Sequence, residues 1–159
     1  MKKIILILCL ISSICLEAQV RQHAVGIRLG ILQGVSYQYR PVSQFSVEGL
    51  LCLYRYEPLI LGFAQFHVSN FLGSDKMSVF FGAGAHFSYV SGYKNTDWFP
   101  DNDEQQIRHF VSGIDLQVGI DYFFEEFPLN LSLDFRPAYN LIGHQGYWYG
   151  VALSVRYVF

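Results

Sequence analysis

A strict alternation of apolar and polar side chains constrains this chain more than any other feature of its sequence. In the final segment every second residue is apolar or aromatic: Tyr149, Val151, Leu153, Val155, Tyr157 and Phe159. Between them stand Gly150, Ala152, Ser154, Arg156 and Val158. Because successive side chains of a β-strand point to opposite faces, the pattern predicts a strand with one apolar face.

The same period of two recurs along most of the chain and predicts eight strands. Their expected bounds are about 23–31, 35–40, 45–54, 59–67, 77–90, 109–124, 129–140 and 147–159. The fourth alternates only loosely, with Leu59, Leu61 and Phe63 as its apolar phase. Downstream of residue 18 there is no run of 18 consecutive apolar residues, so we predict no transmembrane helix there.

The first eighteen residues have the layout of a secretory signal. Lys2 and Lys3 precede an apolar stretch from Ile4 to Ile14, and Ala18 supplies a small residue for cleavage. We therefore predict a signal peptide at 1–18 and a barrel domain at 19–159. Cleavage there leaves Cys52 as the single cysteine, which excludes an internal disulfide and a cysteine-based zinc site.

Charge is confined to one phase of the strands, and this decides between two kinds of barrel. The apolar phase has no charged residue, whereas the other carries Arg28, Arg40, Glu48, Asp115, Asp121, Asp134, Arg136 and Arg156. A soluble barrel would place charge outside and apolar side chains within. Charged residues make up only 15% of the chain, against about a quarter in soluble domains. These features predict an inverted, all-β, closed antiparallel up-and-down transmembrane barrel, since in lipid a sheet must close to pair its backbone groups.

An eight-stranded barrel has an interior that its own side chains fill. We predict a lumen charge network of paired residues without a wide pore, since a lone buried charge is costly. Its members are Arg28, Glu48, Asp115, Asp121, Asp134, Arg136 and Arg156. Six glycines of the lumen phase are expected to make room for the arginines: Gly26, Gly30, Gly82, Gly84, Gly113 and Gly119.

Connection lengths agree with a barrel whose N-terminus lies in the periplasm. Leu32-Gln33-Gly34 is expected to form a three-residue hairpin loop with Gly34 left-handed, and Arg40–Gln44 to form the next connection. The fifth connection, 91–108, is the longest and would face outward, as long outer loops do. The connection at 68–76 is longer than expected for an inner turn.

Several segments resemble a small outer-membrane β-barrel family common in Bacteroidota. They are Gly26–Gly30, Gly34–Tyr39, Phe81–His86, Leu131–Leu141 and Ala152–Phe159. In general layout the chain is also similar to OmpX-like and OmpA-type barrels. The resemblance implies an outer-membrane location and no assigned activity, and Tyr157 and Phe159 look like the terminal signal that barrel-assembly machinery reads.

One candidate catalytic pair is present. His86 and Ser88 are two residues apart, and some eight-stranded outer-membrane barrels use His and Ser to modify lipids. Such enzymes need the pair on the lipid-facing side, whereas both residues here share the lumen phase. A place for His86 in the lumen hydrogen-bond network is the preferred interpretation, because a triad is recognised by geometry.

The long fifth connection contains Asp97, Asp101, Asp103 and Glu104. Their oxygens suit a divalent cation, but the spacing lacks the glycine and terminal glutamate of an EF-hand loop. We interpret the cluster as a solvated acidic loop and predict no metal site, no cofactor and no catalytic residue.

The sequence thus predicts a non-enzymatic integral protein of a Gram-negative outer membrane, with a structural role or an interaction or adhesion role of its outer loops. Its expected partners are outer-membrane lipids and, during biogenesis, the barrel-assembly machinery, while the external partner of the loops is unspecified. The net charge of −2 gives no support for nucleic-acid binding. A lipid-modifying membrane enzyme and a secreted lipocalin-like carrier of an apolar ligand remain as alternatives.

Overall fold

Eight antiparallel strands, each paired with its neighbours in the chain, close into a barrel through pairing of the first with the last. The computed structural model describes residues 22–54, 57–92, 107–143 and 146–159. The strands are β1 (His23–Gly30), β2 (Gln33–Val42), β3 (Phe45–Tyr54), β4 (Glu57–Ser69), β5 (Met77–Gly92), β6 (Ile107–Phe123), β7 (Leu129–Ile142) and β8 (Gly146–Val158). A 3-10 helix, Phe71–Gly73, precedes β5. The predicted fold class and all eight strands are confirmed.

Two predicted features lie outside the described residues. They are the signal peptide at 1–18 and the acidic cluster of the fifth connection. Within the described ranges, no helix is long and apolar enough to cross a membrane. We call the end of the barrel that holds His23 and Phe159 the terminal end, and the end that holds Gly92 and Ile107 the loop end.

The alternation of the sequence becomes an alternation of inside and outside. Leu153 is 40% exposed and Arg156, three residues on, is 0% exposed. At strand positions whose side chains are described, the outward-facing set contains no Asp, Glu, Lys or Arg. The polarity of this barrel is therefore opposite to that of a soluble one, with an apolar exterior and a charged interior.

Strand β4 is the exception, because its predicted phase is wrong. Leu59, Leu61 and Phe63 are at most 3% exposed and point into the lumen, whereas Ile60 and Phe66 are more than half exposed. Both faces of β4 are apolar in this region, so hydrophobicity does not distinguish them. The polar residues Gln65 and His67, which share the phase of Leu59, are the signal that would have set it correctly.

The first hairpin also differs from its prediction. Arg28 pairs with Gly34 inside the ladder, and Gly34 is not among the residues with positive φ. The strands are instead connected through Ile31 and Leu32. Gly34 is needed for close approach, because a Cβ there would collide with the backbone of Leu51 and Cys52 on β3.

The second connection is shorter than predicted. Strand β2 continues to Val42, which pairs with Phe45, and the register shifts between Tyr39 and Val42. Pro41 stands in this irregular stretch, where a residue without a backbone N–H does no harm to the ladder.

The lumen glycines make room for different side chains than predicted. A Cβ at Gly26 would meet the Cγ of Arg156 at 2.7 Å, so here the expectation holds. At Gly84, Gly113 and Gly119, however, the nearest side chains are Phe63, His86 and Phe80. At these three positions a side chain would collide both with an aromatic ring of the lumen and with a backbone carbonyl of a neighbouring strand.

This packing predicts a contrast between a crowded strand glycine and an uncrowded one. In Gly113→Ala the new methyl group would lie 2.6 Å from the ring of His86 and against the carbonyl of Tyr139, so we expect a loss of about 1–3 kcal/mol in the free energy of unfolding. Gly62→Ala on β4 is the control, since no atom lies within 4 Å of its added Cβ, and its expected effect is a gain of up to about 1 kcal/mol. Urea titrations in detergent micelles measure both, and equal effects would contradict the packing described here.

Candidate functional site: the charged lumen

The middle of the lumen contains a closed ion pair between β1 and β7. Arg28 donates from Nη1 to Oδ2 of Asp134 at 2.7 Å and from Nη2 to Oδ1 at 2.6 Å. Both residues are 2% exposed. Two parallel charge-assisted hydrogen bonds use the planar fork of the guanidinium fully, so this pair joins two strands that are separated by β8.

A second group of charges occupies the terminal end. Arg156 donates to Oε1 of Glu48 at 2.5 Å and to Oδ1 of Asn130 at 3.1 Å. Asp121 faces three nitrogen-bearing side chains: Arg40 at 3.1 Å, His67 at 3.2 Å and Arg156 at 3.7 Å. Sharing of one carboxylate by several partners makes this group a network that links six strands.

A chain of amides continues from this network across the lumen. Gln65 donates from Nε2 to Oε2 of Glu48 at 2.6 Å and to Oε1 of Gln117 at 2.9 Å. Its own Oε1 accepts from Gln38 and from Ser46, each at 2.7 Å. Because the carboxylate of Glu48 only accepts hydrogen bonds, it must face the NH₂ group of Gln65. This orientation in turn fixes those of the amides of Gln38 and Gln117.

The third group of charges lies towards the loop end. Oδ2 of Asp115 is 2.7 Å from Nδ1 of His86, whose Nε2 is 3.0 Å from Oδ1 of Asn140. Oδ1 of the same carboxylate is 3.4 Å from Nη1 of Arg136. The guanidinium of Arg136 stacks over the indole of Trp148, with 4.3 Å to the ring centroid.

The lumen also has an apolar side that the sequence did not predict. It consists of Leu32, Leu50, Cys52, Leu59, Leu61 and Phe63, with Trp148 packed against it. Most of these residues come from β3 and β4. The interior therefore contains an apolar cluster beside the ionic networks.

The structure places all seven residues of the predicted lumen set inside the barrel, each at most 2% exposed. It brings together Arg28 with Asp134, Glu48 and Asp121 with Arg156, and Asp115 with Arg136. His67, which the sequence did not single out, joins the group around Asp121.

The two residues of the predicted assembly signal lie at the terminal end. Tyr157 is partly exposed on the outer face, and its ring centroid is 6.3 Å from that of Phe159. The ring of Phe159 stacks on His23 at 5.8 Å. Their role in assembly stays a prediction.

The candidate catalytic residues are not joined. Ser88 donates its hydroxyl hydrogen to the carbonyl of Pro58 at 2.9 Å, whereas His86 contacts Asp115 and Asn140. Among the described residues, no group of three or more His, Cys, Asp or Glu side chains is placed to hold a metal ion.

Aromatic side chains form two bands on the outer face. The band at the terminal end contains Tyr37, Tyr39, Tyr157 and Phe159 with His23 among them. The band at the loop end contains Phe87, Tyr89, Phe110, Tyr139, Tyr147 and Tyr149. Aliphatic residues such as Leu116 and Val151 occupy the surface between them.

Comparison with known proteins supports the fold and goes no further. The chain matches no protein-family model, and it matches no curated protein in sequence. Among solved structures it is similar to the N-terminal β-barrel domain of Pseudomonas aeruginosa OprF, with a TM-score of 0.60 and 14% sequence identity. The match covers 84% of this chain and 95% of that one. The chain therefore shares the small eight-stranded barrel fold, while the resemblance to a Bacteroidota family stays a prediction.

Proposed function

We propose that the chain is an integral outer-membrane protein of a Gram-negative bacterium, without catalytic activity, that acts structurally or through its outer loops. The observation that carries this proposal is the inverted polarity of the barrel. Leu116, Leu153 and Ile27 are 40–61% exposed on the outer face, while four arginines and four carboxylates lie inside. A contiguous apolar surface of this kind exceeds what a soluble monomer exposes and fits hydrocarbon.

The position of the aromatic bands supports the same proposal. Transmembrane barrels carry an apolar belt between two girdles of aromatic residues, at the depth of the lipid headgroups. The aromatic residues at the terminal and loop ends lie at the two positions expected for such girdles. Most strands here have ten residues or more, which is enough to cross a bilayer at the usual tilt.

The two longest strands support a role for the fifth connection. Strands β5 and β6 have 16 and 17 residues and pair up to Gly92 and Ile107. They are the longest of the eight strands, and the fifth connection, 93–106, joins them in the sequence. The segment 93–106 is the candidate site for adhesion or for binding an external partner. The other partners we propose are the lipids around the barrel and, during biogenesis, the barrel-assembly machinery.

Cell fractionation tests this proposal against the soluble carrier. We expect the protein in the outer-membrane fraction, released by detergent and not by salt or carbonate. A barrel that stays soluble without detergent in the periplasm would overturn the proposal and favour the carrier. A His86→Ala variant that alters lipid A composition in the same cells would instead favour the lipid-modifying enzyme.

The filled lumen predicts the absence of a porin-sized conductance. Arg28, Arg136, Arg156 and Phe63 are each at most 2% exposed and occupy the interior at different heights. We therefore expect purified protein in a planar bilayer to give no steady current steps of porin size, since eight strands leave only the width that side chains fill. Large, long-lived openings in most insertions would contradict a plugged lumen.

A further inference from the structure

One buried cation in the lumen is left with open donors. Arg136 is 0% exposed, and among the described residues none of its three guanidinium nitrogens has a hydrogen-bond partner. The nearest carboxylate, that of Asp115, lies at 3.4 Å and is shared with His86 at 2.7 Å. Arg28 and Arg156, by contrast, donate to carboxylates at 2.5–2.7 Å. A buried guanidinium with free donors is costly unless an acceptor reaches it.

A second donor lies opposite Arg136. Gln117 is 2% exposed, and its Nε2 has no partner among the described residues. Between the pairs Asp115↔Ala138 and Val118↔Phe135, Gln117 stands across from Arg136 on the same face. Its Oε1 is held by Gln65, which is itself fixed by Glu48. The amide chain therefore forces Gln117 to keep its NH₂ group free.

Space is present beside these donors. Gly150 pairs with Arg136 on the neighbouring strand and is buried, yet no atom lies within 4 Å of where its Cβ would be. A buried glycine normally marks a tight contact, as Gly113 and Gly119 do here. At Gly150 the missing side chain leaves room instead.

We propose that Arg136 and Gln117 form a binding site for a small monovalent inorganic anion of the halide class, inside the lumen towards the loop end. Four nitrogens of Arg136 and Gln117 lack a partner among the described residues, against one acceptor beside them, Oδ1 of Asp115 at 3.4 Å from Arg136. The guanidinium supplies the positive charge, and the side of the lumen at Gly150 supplies the volume. Charge-assisted N–H donors in a site shielded from water suit an anion with acceptor capacity on all sides. The site is independent of what surrounds the barrel, because it is built from lumen side chains.

The indole of Trp148 gives a direct probe, since it stacks under Arg136. The chain has two tryptophans, so Trp98→Phe leaves Trp148 as the single emitter. In folded Trp98→Phe protein we expect iodide to quench emission along a saturating curve, at constant ionic strength, and chloride to compete. Arg136→Gln should make the quenching linear and weak. Arg40→Gln is the matched control, because it removes an arginine at the terminal end and should keep the saturating curve.

Anomalous diffraction from bromide-soaked crystals of the unmodified protein tests the same site without a substitution. A bromide peak within contact distance of Arg136 and Gln117 is the expected result. Linear iodide quenching that is identical with and without Arg136, or density at the site that is water only, would overturn the proposal.

Discussion

Asp134→Ala is expected to lower the free energy of unfolding by about 3–5 kcal/mol, because it leaves the guanidinium of Arg28 buried without its counter-charge. Both hydrogen bonds of that pair are shorter than 2.8 Å, and both residues are 2% exposed. Urea unfolding of the barrel in lipid vesicles, followed by tryptophan emission, measures the loss. Ser132→Ala is the matched control: its hydroxyl is equally buried two residues away, without a hydrogen-bond partner among the described residues, so its removal should cost less than about 1 kcal/mol.

The double variant Arg28→Leu/Asp134→Leu distinguishes the net contribution of the ion pair to stability from the cost of burying one unpaired charge. Replacing a buried ion pair with apolar side chains is often neutral or stabilising, so the double variant should recover most of the stability that Asp134→Ala loses. If the free energy of unfolding of Asp134→Ala lies within about 1 kcal/mol of that of the unmodified protein, Arg28 and Asp134 are not the closed pair that their geometry indicates.

Leu116→Arg is expected to cost about 2–4 kcal/mol of stability in a bilayer, since it puts a charge at the height of the hydrocarbon. Leu116 is 61% exposed and lies near the middle of β6. In water, the same change at so exposed a position would have little effect, because surface substitutions usually stay within ±0.5 kcal/mol.

Phe127→Arg is the control for this prediction. Phe127 is 57% exposed, similar to Leu116, but lies in the turn between β6 and β7, beyond the strands. Its replacement should change stability by less than about 1 kcal/mol, because the cost of a charge falls off towards the interface. Equal losses at the two positions would contradict an apolar belt confined to the strands.

The sequence predicts the barrel well because the requirement that apolar and polar side chains alternate applies along the whole of a strand. A strand between lipid and a charged lumen must alternate, and a slip of one residue would bring Arg156 or Asp134 to the outer face. Strand β4 shows the limit of this logic. There the lumen itself is apolar, so Leu61 inside and Ile60 outside are equally hydrophobic, and only Gln65 and His67 indicate the phase.

Which side chains pair with each other in the lumen is less predictable than which side chains point into it. The alternation shows that Arg28 and Asp134 both point inward, but their contact depends on closure of β1 against β8 and on the stagger of the strands. The side chains for which Gly84, Gly113 and Gly119 leave room are unpredictable for the same reason. Their partners Phe63, Phe80 and His86 lie on neighbouring strands, and a phase assignment says nothing about height.

The most direct test of the inverted polarity uses lipids with brominated acyl chains, which quench tryptophan within the hydrocarbon. Trp98→Phe/Trp148→Phe/Leu116→Trp carries a single tryptophan on the outer face, and Trp98→Phe keeps only Trp148, which packs on the lumen core. We predict strong quenching by brominated lipid for the first protein and little for the second. Equal quenching of the two, or quenching of Trp148 alone, would contradict a barrel whose apolar face meets lipid.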